Sequence, residues 1–222
     1  KTAYEIRNCD WSSDVCSSDL AGATVQLRNG RGVAAVADVT DTLKDRRGGE
    51  WIIQAQVRSL SETPRPSPAV HVMAACPKGD RLSEMVEGLS QVGAASFTPL
   101  LTQFTVVDPR EGKVDRLRRI ASESLKQCAR LWVMDVHEPV TLEQAIAQCA
   151  SQGLQVLVAD ATGRTPDRVE RDAALLVGPE GGWSDAERAV FAEARFELVR
   201  FGPHVMRIET AAVVGAAMLH PI

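Results

Sequence analysis

From Thr24 onward the apolar positions of this 222-residue chain follow two rhythms, separated by a proline-rich break. The first rhythm alternates, as strands with one buried face do. "TVQLR" (24–28) meets the turn "NGRG" and continues as "VAAVADV" (33–39), which predicts a hairpin with Asn29-Gly30 at its tip. After a polar loop ending in Gly48-Gly49, "EWIIQAQVR" (50–58) predicts another strand. Three strands are few for an independent domain, so the stretch reads as part of a small β-barrel or sheet. The prolines and serines of "SLSETPRPSP" (59–68) then mark a linker, with a domain boundary near Ser67.

In the second rhythm, short solid apolar runs alternate with helical spacing. "AVHVMAA" (69–75) predicts a strand and Pro77-Lys78-Gly79-Asp80 a turn; a helix with Leu82, Met85, Val86 and Leu89 on one face follows, stopped by Gly93. "ASFTPL" (95–100) predicts the next strand, Lys113 to Cys128 a basic helix, and "LWVMDV" (131–136) a short strand. Thr141 caps another helix, which Gly153 ends. "LQVLVAD" (154–160) and "ALLVG" (174–178) are buried strands, and Ser184 with Glu187 forms a capping-box pattern for a further helix. "FELVRF" (196–201), Gly202-Pro203 and a last helix within "ETAAVVGAAMLH" (209–220) complete the chain. Such alternation predicts an α/β fold with a parallel sheet covered on both faces. Ligands of these sheets bind beyond the carboxyl ends of the strands. Both the Gly178–Gly182 loop and the Gly202-Pro203 turn sit at such ends. The loop alone could be a tight strand-to-helix turn; the two together favour a ligand site.

Residues 1–20, "KTAYEIRNCDWSSDVCSSDL", differ from all that follows. They are rich in Ser, Asp and Cys, lack sustained periodicity and begin without Met, so they read as an anomalous, foreign or mis-assembled segment. Elsewhere the composition is that of a globular protein, 45% hydrophobic with only 5% aromatic residues, so the core must rest on Val, Leu, Ile and Ala. No apolar run approaches the roughly 20 residues that span a bilayer, and the expected location is cytoplasmic. A net charge of −4 gives no general attraction to nucleic acid; "KVDRLRR" (113–119) is either a local basic face or simply a solvated helix surface. The five cysteines and four histidines are scattered without ligand spacing, so no disulfide framework and no metal are expected.

Several chemistries are excluded by their missing signatures. "GPEGG" is not followed by Lys-Ser/Thr, as a phosphate-cradling loop requires, and there is no G-x-G-x-x-G after an early strand and no G-x-S-x-G elbow. At the far end, "FGPHVMRIETAAVVGAAM" (201–218) places Arg207 and Glu209 around an isoleucine just before a small-residue helix. Those charges could be an ordinary helix-end pair.

"LLVGPEGGWSDAE" (175–187) followed by "FGPHVMRIETAA" (201–212) resembles the paired signature of the RsmE family of rRNA methyltransferases. Weaker similarity runs through "KGDRLSEMVEGLSQVGAASFTPL" (78–100), "ESLKQCAR" (123–130) and "TVQLRNGRG" (24–32), so the resemblance covers nearly everything from Ala21 onward. It implies a partial PUA-like, RNA-positioning β domain over 21–66 and a SPOUT domain over 67–222, whose last segment forms a trefoil knot. It further implies a homodimer that methylates N3 of a uridine in 16S rRNA of the small ribosomal subunit, with S-adenosyl-L-methionine as cofactor. By position, the cofactor residues would be Val158, Ala159, Leu176, Val177, Gly178, Pro179, Glu180, Gly181, Gly182, Phe201, Gly202, Pro203, Val205, Met206, Ile208 and Thr210. Arg207 and Glu209 would be catalytic. Arg207 would stabilise charge on the base or grip a phosphate; Glu209 would orient Arg207 or hold a loop. A direct general-base role for Glu180 or Glu209 stays open. Lys78, Arg81, Lys113 and Arg130 would contact RNA.

The chain departs from the family at several places. Gly88 and Gln91 stand where a lysine and a glutamate are usual, Thr102-Gln103-Phe104 where Ser-Glu-Arg is, and Lys126 where an acid is. The first PUA-like strands are replaced by residues 1–20. A non-catalytic dimeric RNA-binding scaffold that keeps the fold is therefore the alternative, as is a SPOUT enzyme acting on another RNA.

Overall fold

A computed structural model of the protein describes residues 3–7, 21–44, 51–107, 109 and 113–220. The chain folds as two compact units, Lys1–Arg65 and Pro66–Ile222.

The first unit is a four-stranded antiparallel sheet built from β1 (Ala3–Arg7), β2 (Thr24–Arg28), β3 (Val33–Lys44) and β4 (Trp51–Glu62), in the order β1-β4-β3-β2. The hairpin between β2 and β3 is the expected one. Asn29 Oδ1 accepts from the backbone N–H groups of Arg31 (2.7 Å) and Val33 (3.0 Å), and Gly30 takes a φ of 69° that a side chain would resist. Ala37 and Val39 of β3 and Ile53 and Ala55 of β4 are buried, which is the two-residue period the alternation implies. Two expectations change. β4 runs on through Ser59–Glu62, the first residues of the expected linker, because β3 is long enough to pair with them from Val33 to Val36. Five residues of the anomalous opening segment supply β1, an edge strand on β4; residues 8–20 lie outside the described residues.

In the second unit the elements are β5 (Val70–Ala74), α1 (Arg81–Gln91), β6 (Ser96–Leu101), α2 (Lys113–Cys128), β7 (Asp135–Val136) and β8 (Val140–Thr141). There follow α3 (Leu142–Gln152), β9 (Gln155–Arg164), β10 (Ala173–Val177), α4 (Asp185–Glu193), β11 (Glu197–Val199) and α5 (Ile208–Leu219). The strands form one sheet in the order β11-β9-β10-β5-β6-β7, every pair parallel, with β8 alongside β6. This is the α/β, mostly parallel arrangement the strand–helix alternation predicted.

The solid apolar strands follow from burial on both faces. In β10, Ala173, Leu175 and Val177 join a cluster with Leu82, Met85 and Leu89 of α1, Leu117 of α2 and Ala212 and Ala216 of α5. The intervening Ala174 and Leu176 join Leu142 and Ala145 of α3 and Phe191 of α4. Helices therefore cover each face, and the central strand has no room for a polar side chain.

α3 and α4 begin and end alike. Thr141 and Ser184 make complete capping boxes with Gln144 and Glu187. α3 closes on Gly153 at φ 66°, and α4 closes on Arg195, a non-glycine residue at φ 54°, with the following Phe196 N–H bonded back to Phe191. The run "LWVMDV" shortens to two strand residues, because β7 is an edge that β6 reaches only at Ser96 and Phe97. Met134 is nonetheless buried in the core.

α5 packs closely because its contact residues are small. A Cβ at Gly88 of α1 would come within 2.9 Å of Val213 Cγ2, so the departure from lysine at 88 is explained by this close helix–helix approach.

Candidate functional site

The sheet order places β9, β10 and β11 side by side and parallel, so their carboxyl ends open on one crevice. The crevice is a cleft of about 320 Å³. Val177 of β10, Phe201, Met206, Ile208 and Ala211 give it an apolar side, and Asp160, Thr162 and Arg188 a polar one. The segments from Gly178 to Pro179 and from Gly202 to Pro203 also line it.

The Gly178–Gly182 loop is held by Trp183. Its indole N–H donates to the Ala159 carbonyl at 3.0 Å, tying the loop to the end of β9, and its ring meets Phe191 edge to face at 4.9 Å between centroids. A Cβ at Gly178 would lie 2.9 Å from the indole, so glycine is required for Trp183 to fold over the strand end. Glu187 adds a second tie. Its buried carboxylate accepts from Ser184 N–H (2.8 Å) through one oxygen and from Gln103 N–H (3.0 Å) through the other. That anchors the segment after β6, whose Phe104 lies against Gly181.

On the polar side, the Asp160 side chain is only 4% exposed. It accepts from the Thr162 N–H and hydroxyl and from Arg188 at 2.6 Å. Burial pushes its carboxyl pKa up, but the Thr162 hydrogen bonds and the Arg188 charge outweigh this and hold it below the ordinary value.

Most of the residues expected at a cofactor site meet here. Ala159, Val177, Gly178, Pro179, Glu180, Gly182, Phe201, Gly202, Pro203, Val205, Met206 and Ile208 all line the cleft. Four do not. Val158 and Leu176 are one residue out of phase and point to the opposite face of the sheet, into the α3–α4 core. Gly181 backs onto Phe104, and Thr210 is exposed while its neighbour Ala211 reaches the cleft.

The two catalytic candidates separate. Arg207 is exposed at the N-cap of α5, between Met206 and Ile208 of the cleft wall. Glu209 does not orient it: the carboxylate faces Arg81 instead, Oε1 to Nη1 at 3.7 Å. Arg81 also reaches Glu180 at 3.4 Å. Of the expected RNA contacts, Lys78 and Lys113 are exposed. Arg130 has a different task, donating to the carbonyls of Ser90 (2.6 Å), Gly93 (3.3 Å) and Ala94 (3.1 Å), where it closes the end of α1.

Asp160, Thr162, Trp183, Arg188 and Ala211 of the cleft were not anticipated. Only Trp183 had a signal in the sequence, standing inside "GGWSDAE"; the Asp160–Arg188 pair joins positions 28 residues apart and had none.

Residues 64–220 match the RNA methyltransferase domain family. Ribosomal RNA small subunit methyltransferase E of Synechocystis is 29% identical over 188 residues, covering 81% of this chain and 61% of the relative. The Mycobacterium bovis protein of the same name is 31% identical over 180 residues, covering 76% and 68%. The chain thus spans about three fifths of the length of the Synechocystis relative. Among solved structures, a Legionella pneumophila protein in complex with the bound cofactor SAM is 26% identical, with a TM-score of 0.77 over 98% of this chain and 91% of that one. A ribosomal RNA small subunit methyltransferase E from Neisseria gonorrhoeae, bound to S-adenosyl methionine, shares the fold at a TM-score of 0.78 and 19% identity, over 97% and 90%. Since the matched segment takes in both walls of the cleft, the chain belongs to the RNA methyltransferase domain family, within its ribosomal RNA small subunit methyltransferase E branch.

Proposed function

We propose that this protein transfers a methyl group from S-adenosylmethionine to N3 of a uridine in 16S rRNA of the small ribosomal subunit. The observation that carries the reading is the convergence of two glycine-bearing loops, from neighbouring parallel strands, on one cleft. Its volume of about 320 Å³ suits a small cofactor. The residues present fit the group: exposed backbone around Gly178 and Gly202 for the adenine edge, apolar Phe201, Met206 and Ile208 for its faces, and Asp160 and Arg188 for polar groups. We read the second unit as a SPOUT domain with a trefoil knot, working as a homodimer, and the first as a partial PUA-like module that positions RNA.

When bound, the cofactor supplies an electrophilic methyl group on a sulfonium centre. The chain must bring the base into line and favour its deprotonated form, because uridine N3–H is a weak acid. Arg207 suits the second task, being a cation on the rim of the cleft wall that no side chain neutralises among the described residues. The proton leaves for Glu180, one of two carboxylates that line the cleft, the other, Asp160, being engaged by Thr162 and Arg188, or for water. Glu209, held by Arg81, is a supporting residue in this scheme.

Calorimetric titration with S-adenosylhomocysteine tests the cofactor assignment. Saturable binding is expected, and Gly202→Trp, which fills the cleft, should abolish it. Methyl transfer to purified small subunits should follow, and Arg207→Ala should lower its rate by about 10²–10³. Failure of the folded wild-type protein to bind would favour the non-catalytic scaffold. Transfer by Arg207→Ala near the wild-type rate would remove Arg207 from the chemistry.

A further inference from the structure

We infer that Arg81 is a positioning residue for the cleft: its one guanidinium ties the Gly178–Gly182 loop, through Glu180, to the first turn of α5, through Glu209, and sets the gap between them. The inference rests on the cofactor reading above and reassigns a residue first expected to contact RNA. Three observations carry it.

The partners belong to two different segments that meet at the cleft. Glu180 lines it from the loop after β10, and Glu209 follows Ile208, which lines it from the start of α5. Arg81 belongs to neither: it is the first residue of α1, and its Nε donates to the Lys78 carbonyl at 3.4 Å, so the guanidinium is braced from a third element.

Glu209 depends on that cation. Its side chain is only 15% exposed, and Oε2 is screened from water with no hydrogen-bond partner among the described residues. A carboxylate so placed is costly unless a positive charge stands near it, and Arg81 is the cation facing its other oxygen. Exposed ion pairs contribute little, and the Arg81–Glu180 contact alone, with Glu180 49% exposed, would carry no weight. Its sharing with a mostly buried acid changes that.

Nor is the clamp fully closed. Charge-assisted N–H···O contacts settle at about 2.7–2.9 Å, whereas those to Glu180 and Glu209 stand at 3.4 and 3.7 Å. The two contacts have room to shorten if the loop and α5 draw together over a ligand. Ligand binding and clamp closure then reinforce one another.

The test uses the full chain, with Arg81→Met, Arg81→Lys and Glu209→Gln. S-adenosylhomocysteine affinity should fall about tenfold in Arg81→Met and less in Arg81→Lys. Adding Glu209→Gln to Arg81→Met should cost less than Glu209→Gln alone, since the pair is already broken. Hydrogen exchange on the ligand-free protein should quicken at the amides of both Glu180–Gly182 and Glu209–Ala211 in Arg81→Met. A folded Arg81→Met protein with wild-type affinity and unchanged exchange at either segment overturns the inference. If the wild-type protein binds no S-adenosylhomocysteine, the cofactor reading fails and exchange decides alone: quickening at both segments supports the clamp, and its absence at either sinks it. Should Arg81→Met fail to fold, Arg81→Lys is judged by the same two readouts, with smaller changes expected in each.

Discussion

The two walls of the cleft are built on opposite plans. The wall after β10 is tied down three times: by the Trp183 indole to β9, by Glu187 to the segment after β6, and by the Phe104 ring against Gly181. The wall after β11 has few such ties. Pro203, His204, Val205 and Arg207 are exposed, Val205 to 87%, although Val205 borders the cleft. An apolar side chain left in water beside an apolar cleft gains by being covered, whereas one already packed has little to gain. The comparison teaches that the first wall is formed in advance and supplies shape. The second has burial still to gain and supplies affinity when a ligand arrives.

Substitutions that loosen the first wall should therefore show mainly in stability, and those in the second mainly in binding. The largest effect is expected from Trp183→Ala, which empties a packed site and breaks the bond to Ala159. It should cost about 3–5 kcal/mol in a urea melt. Glu187→Ala removes the acceptor of two backbone N–H groups and should cost about 1–3 kcal/mol in the same measurement. Val205→Ser should leave the melt within about 0.5 kcal/mol of wild type. It should nonetheless weaken S-adenosylhomocysteine roughly fivefold by calorimetry, since the lost burial is part of a valine's worth. A Val205→Ser protein that melts early but binds normally would erase the distinction between the walls.

What the sequence disclosed about this cleft, and what it hid, divides along the same physical line. Local chemistry was readable. Ser184 and Glu187, three residues apart, announced the start of α4, and Gly153 the end of α3, because capping is decided within one turn. The uninterrupted apolar run of β10 announced a strand buried on both faces. Likewise the two glycine-bearing turns could be placed at strand ends. Val158 and Leu176 stand next to cleft residues in the chain, but the two-residue alternation of a strand sends them to the far face. Long-range pairings had no signal at all. Arg81 meets Glu180 and Glu209 across 99 and 128 positions, and nothing local in "KGDR" says whether its guanidinium faces RNA or carboxylates. Arg130 was hidden in the same way, because an arginine that serves carbonyls looks no different in a sequence from one that serves phosphates. "AYEIR" shows the limit of composition: its segment looks foreign, yet five of its residues pair along β4 and complete a sheet edge.

Gly215 lies in the last helix, near the end of the chain. A methyl group there would stand 2.6 Å from the Phe201 ring and 2.7 Å from Leu175, and Phe201 is part of the cleft wall. The floor of the binding site and the interior of the fold are thus one surface seen from two sides. Inherited change at this distant glycine would act as a change in the cleft wall, although residue 215 is not among the cleft-lining residues. For the same reason, an inhibitor that leaned on Phe201 could meet resistance from α5, a helix that a survey confined to the cleft lining would overlook.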